Sequence, residues 1–148
     1  MFDPLTAPLS EVVLRLLVAT SLGALIGLER EQSESGGRFA GSRTFPLLAL
    51  YGALTFAFFD GTLLAALGVL VVPLTVAYAA KVWTDGDLGL TTLTAAVLTT
   101  VLGAMTMHSD RAATLAVVVG GAITVLLAVK DPLHEFAGRI SASEQLAS

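Results

Sequence analysis

The chain has 148 residues, 55% hydrophobic and 14% charged, with a net charge of −4 and a mean hydropathy of +0.82. This balance lies outside the range of soluble globular domains and marks an integral membrane protein. Apart from Arg15 the charges lie at or beyond the ends of the apolar runs, so their sum says little about partners; nucleic acid is excluded, and with no cysteine there is no disulfide, thiolate metal site or thiol nucleophile.

Five apolar runs follow one another, and they predict an all-α integral membrane protein with five transmembrane helices in a single domain over residues 1–148. The expected spans are 11–29, 44–59, 62–82, 88–107 and 112–130. The first follows no basic segment and reads as a retained helix rather than a cleaved signal. The second is short, so it either spans where the bilayer is thin or forms a re-entrant hairpin. Pro46 sits in its first turn, with Ser42 or Thr44 available as cap. Pro73 is expected to kink the third helix. After the fifth, Asp131 and Pro132 open a short amphipathic helix over 132–140, with Leu133, Phe136 and Ile140 on its apolar face.

The connections at Asp60-Gly61, Thr84 to Asp87 and His108 to Arg111 are long enough only to turn, which makes consecutive helices antiparallel neighbours. With the amino terminus outside, the inner side collects Arg30, Arg38, Arg43, Lys81, Lys130 and Arg139, and the outer side keeps Arg15 and Arg111. That asymmetry places the carboxy terminus in the cytoplasm and the chain in the inner (plasma) membrane. Small residues recur four apart at Ala19, Gly23 and Gly27, at Ala49, Ala53 and Ala57, at Thr92, Ala96, Thr100 and Ala104, and at Ala112, Ala116, Gly120, Thr124 and Ala128. Such stripes pack helices within one chain or form an oligomer seam. Four of them in a small bundle point to a homo-oligomer, a dimer first, with Ala19, Gly23, Gly27, Ala116, Gly120 and Thr124 as the candidate seam.

Two stretches resemble a known family. LRLLVATSLGALIGLERE, from Leu14, is followed by GGRFAGSRTFPLLALYGAL. An early arginine, then G-x-L-I-G-L-E-R, then A-G-x-R-T opening helix two is the pattern of the MgtC/SapB family. DLGLTTLTAAVLTTVLGAM and LAVKDPLHEF look like the branch in which this module precedes a second membrane domain of unknown function. The resemblance runs from about Leu14 to Gln145. It implies an association with low-magnesium adaptation and survival inside hosts, with a transport operon behind the family name. Regulation of other membrane machines, a proton-translocating ATP synthase among them, has been attributed to relatives. A second membrane polypeptide is a further candidate partner, because these residues include neither that second membrane domain nor the soluble carboxy-terminal domain of other members.

Six of the twenty charged residues lie in the stretch 27–45. Arginines there fix orientation, and surface carboxylates pair with them for about 0–1 kcal/mol. The functional reading is a ligand-binding or gating cluster at the inner mouth, made of Glu29, Arg30, Arg43, Thr44, Thr91 and Thr92, in which arginines and the amino end of helix two favour an anion. Asp85 and Asp87 form a cap and turn, or hold hydrated Mg2+, the one cofactor the sequence suggests. Threonine hydroxyls along helix four bond back to their own helix or line a polar path. Arg15 has Glu11 one turn before it, an i,i+4 pair that snorkels to the surface. His108 and His134 read as solvated end residues.

No Ser-His-Asp set, nucleotide loop or H-E-x-x-H helix is present, and no enzyme is expected. Two functions remain: a subunit of a small-solute or ion transport system, with magnesium a candidate, and a regulatory membrane module acting through another membrane protein. Apart from Arg15 no ionisable group lies well inside a span, which disfavours a proton-coupled pump.

Overall fold

A computed structural model describes residues 1–33, 41–59, 63–85 and 90–129. Among them there are five helices and no strand: α1 (Leu9–Ser33), α2 (Thr44–Phe58), α3 (Leu63–Asp85), α4 (Leu90–His108) and α5 (Asp110–Ala128). The helix expected over 132–140 lies outside the described residues. Two helices, α1 and α5, are long and apolar enough to cross a membrane by length and composition. At 15 residues, α2 spans roughly 22 Å, shorter than the hydrocarbon core, and it is one continuous helix rather than a hairpin.

The helix ends differ from the expected ones for local reasons. α1 runs to Ser33 and so carries Glu29, Arg30 and Glu31 inside its last turns rather than beyond them. Glutamate, arginine and glutamine are strong helix formers, and nothing in the sequence interrupts them before Gly36. α4 and α5 are joined by Ser109 alone, whose extended backbone (φ −168°, ψ 166°) turns the chain while its Oγ accepts from the Ala112 N–H at 3.2 Å. Asp110 then occupies the first turn of α5, where a carboxylate suits the positive end of the helix. Ser42 and Thr44 do not cap α2. The capping position is Arg43, already in a helical conformation (φ −91°, ψ −36°) and without a side-chain bond to the helix.

Small residues line the closest helix contacts beside a few large buried side chains, Ile26, Phe45 and Met107, while many large apolar residues face outward. Ala19, Ala49, Ala53, Ala96 and Ala116 are fully buried, whereas Leu14, Leu17, Leu25, Leu47, Val118, Val125 and Leu126 are exposed. In water such a surface would be untenable, but in lipid it is the expected solution, since close backbone approach holds the helices together there. The tightest approach is between α2 and α4. A Cβ at Gly52 would collide with the Thr100 carbonyl, and one at Gly103 with the Ala49 carbonyl. α1 joins this pair through Gly23, where a Cβ would stand 2.5 Å from the Phe45 carbonyl oxygen. α5 closes the far side, with Gly120 seated against the Leu22 side chain. α3 packs mainly on α4 and α2, and lightly; Val72, Val76 and Trp83 on it are exposed.

One end of the bundle holds the start of α1, the ends of α2 and α4 and the start of α5, as Arg15, Phe56, His108 and Asp110 come together there. The opposite end holds the last turns of α1 and the start of α2.

Candidate functional site

Gly27 determines how α1 meets α2. Its missing side chain leaves room for Gly41, Ser42 and Phe45, all 3.1 Å from where a Cβ would stand. That contact sets the start of α2 against the last turns of α1. Glu31 then reaches across: its Oε2 accepts from the Ser42 N–H at 3.1 Å. The Gly41 carbonyl accepts from Thr44 and Phe45 N–H at 3.0 and 3.3 Å, which starts α2. The Gly41 carbonyl therefore takes the first N–H groups of α2 that Ser42 or Thr44 was expected to satisfy, and the Glu31 carboxylate holds the residue before the cap. Its charge also faces the positive end of α2.

One turn inside, Arg30 and Glu29 are 3% and 8% exposed, which makes them buried charges. The Arg30 guanidinium folds back on its neighbour, with Nε donating to Glu29 Oε2 at 3.0 Å and Nη2 to Oε1 at 3.5 Å. Consecutive residues on a helix ordinarily point about 100° apart. Here burial leaves the guanidinium no water, so the adjacent carboxylate becomes its partner. Such a pair holds together strongly once desolvated and tolerates the loss of either member poorly.

The other expected members are placed differently. Arg43 is exposed and makes no ion pair among the described residues. Thr44 is half-buried at the first position of α2. Thr92 is buried on α4, whereas Thr91 is exposed and lines an apolar cavity of about 350 Å³ with Thr94, Ala95, Leu98, Ile123 and Leu127. Thr99 and Thr100 are fully buried, and their hydroxyls donate to the carbonyls of Ala95 and Ala96 at 2.7 and 3.0 Å. Those two hydroxyls serve their own helix. Asp85 is the last residue of α3, and Asp87 lies outside the described residues. Among the described residues no three His, Cys, Asp or Glu side chains gather as a metal site.

The small-residue stripes face inward. Ala19, Gly23 and Gly27 are buried against α2, and Ala116 and Gly120 are buried on α5, with Thr124 half-buried and its hydroxyl bonded to the Gly120 carbonyl at 2.9 Å. Ala19, Gly23, Gly27, Ala116 and Gly120 thus pack helices within this chain.

A second polar centre, at the other end, exceeds what the sequence showed. Arg15 is only 7% exposed. Besides Glu11 at 3.0 Å it donates to the Thr106 carbonyl at 2.8 Å and to the Asp110 carboxylate, and the Phe2 ring lies 3.9 Å over its guanidinium. Rather than snorkelling, it ties α1 to α4, α5 and the amino-terminal segment. Only Glu11 was within reach of helical spacing; the others lie far away in sequence.

Buried polar groups thus stand at both ends of the bundle, with a tightly packed apolar core between them. The model of the MgtC family matches residues 16–136, most of the chain. The chain belongs to the MgtC family. The matched region contains Glu29, Arg30, Glu31 and Ser42 of one polar centre and Thr106 and Asp110 of the other, whereas Phe2, Glu11 and Arg15 precede it. No curated protein and no solved structure matches. Family membership and the two long apolar helices make this MgtC-family chain a membrane protein.

Proposed function

We propose that this MgtC-family protein is a subunit of a small-solute or ion transport system in the inner membrane, with magnesium as a candidate solute. In this reading all five helices span, the amino terminus is outside, and the Glu29–Arg30 end faces the cytoplasm. The observation that carries it is the desolvated Glu29–Arg30 pair beside the α1–α2 junction. An ion pair held out of water at a bundle mouth adds little net stability over apolar packing, and gating or holding a small polar solute is a role that suits it. Arg43, exposed nearby in sequence at the start of α2, supplies a guanidinium without an ion pair among the described residues.

The contact of α2 with α4, backbone against backbone at Gly52 and Gly103, leaves no room for a path between those helices. We place the pathway between subunits, which makes the transporting unit a homo-oligomer, a dimer first, or a complex with a second membrane polypeptide. The same closed packing favours the second reading, a regulatory module that acts by contact with another membrane protein. Flux into proteoliposomes separates the two. Uptake of Mg2+ or another small ion by the purified protein, reduced at least about tenfold in Glu29→Gln, is the expected result. No flux from protein shown to be folded and inserted, alone or with a co-purifying membrane protein, would leave the regulatory module.

A further inference from the structure

At the end of the bundle away from Glu29 and Arg30, the first eight residues fold over the helices. Asp3 organises them. Its carboxylate accepts from the Leu5 N–H and the Thr6 hydroxyl, each at 3.0 Å, and its carbonyl accepts from the Ala7 N–H at 3.0 Å. The turn satisfies its own polar groups, as an aspartate turn does. Helical bonding begins only at Pro8, whose carbonyl accepts from Glu11 and Val12 at 2.9 and 3.3 Å.

The attachment of this segment to the bundle is concentrated at Phe2. Its N–H donates to the His108 carbonyl at 2.8 Å, and its ring covers the Arg15 guanidinium with 3.9 Å from the central carbon to the ring centre. Phe2 and Ala7 also pack against the buried cluster of Val12, Ala19, Ala49, Ala53 and Met107. Met1 to Leu5 and Phe56 to Phe58 line an open pocket of about 340 Å³, so the segment is not pressed down over its whole length.

Arg15 explains why Phe2 is the point of attachment. Glu11, Asp110 and the Thr106 carbonyl take N–H groups on the edge of the guanidinium plane. What remains is the flat face, which is weakly hydrated and attracts an aromatic ring. We propose that residues Met1 to Pro8 are a hinged strap that closes this end of the bundle, latched by the Phe2 ring on the Arg15 guanidinium. The preformed Asp3 turn moves as one piece about Pro8, and its release exposes the cluster that Phe2 and Ala7 cover. The strap is independent of the proposed transport role, because its closure is read from accessibility and not from flux.

The chain contains no cysteine, so a single introduced thiol reports the strap directly. Met107→Cys places it in the covered cluster, Ala53→Cys gives a second reporter there, and Ile26→Cys marks the other core cluster. Reaction with an impermeant maleimide is measured on the full-length protein in nanodiscs. Slow labelling at 107 and 53 is expected, faster by about tenfold or more with Phe2→Ser and restored to the slow rate by Phe2→Trp, while 26 stays unreactive throughout. Unchanged rates at both reporters with Phe2→Ser, failure of Phe2→Trp to restore them, or equal acceleration at 26 would each overturn the strap.

Discussion

Glu29 and Arg30 are the buried ion pair beside the α1–α2 junction. Removing one partner leaves the other charged and buried, so Glu29→Ala is expected to lose about 3 kcal/mol of stability, read as a lower midpoint of thermal unfolding in detergent. Glu31→Ala leaves the Ser42 N–H without its acceptor and is expected to cost about 1 kcal/mol by the same measurement. Arg43 is the contrast. Exposed and without an ion pair among the described residues, it is expected to change the midpoint by less than about 0.5 kcal/mol as Arg43→Ala, while flux falls if its guanidinium meets the solute. The crowding of charge near Glu29 was legible in the sequence because charge is rare in this chain. Which charge is buried was not, since Glu29, Arg30 and Arg43 look alike until α1 runs on to Ser33. Arg15 shows the same limit: helical spacing reveals Glu11, but Thr106 and Asp110 are about ninety residues away and reach it only through folding.

Among the elements, α2 and α4 form the seam on which the others assemble, and its closest contacts are at glycines. Gly52→Ala and Gly103→Ala each drive a methyl group into a carbonyl of the facing helix, with no flexible side chain to yield. Each is expected to cost about 3 kcal/mol or more, seen as loss of folded protein on size-exclusion chromatography or a sharply lower unfolding midpoint. Gly68 and Gly121 have nothing within 4 Å of where a Cβ would stand, so alanine there is expected to be neutral or to stabilise by up to about 1 kcal/mol through helix propensity. The four-residue stripes found in the sequence do lie on packed faces, Ala49 and Ala53 on α2 and Ala96, Thr100 and Ala104 on α4. They passed over Gly52 and Gly103, because each stands three residues after a stripe member, and helix neighbours lie at three as well as four. The threonines of α4 were ambiguous in sequence for a physical reason: a hydroxyl bonded to its own helix and one lining a path have the same spacing. The carbonyls of Ala95 and Ala96 decide it for Thr99 and Thr100.

For the whole molecule, the inward placement of Gly23 and Gly120 means that Gly23→Leu and Gly120→Leu are expected to disturb the fold of one chain before they disturb any assembly. Mass measurement in nanodiscs checks this, the expected result being loss of folded protein rather than a folded monomer. Orientation is the claim on which the transport reading rests most heavily, since the Glu29–Arg30 end can gate a cytoplasmic mouth only if it faces the cytoplasm. The basic residues divide six to two in favour of that placement. A cysteine at Ser35, in the connection that follows α1, tests it in intact cells with an impermeant thiol reagent. No labelling from outside, with full labelling once the membrane is opened, is the predicted result; labelling of Ser35→Cys from outside would contradict it.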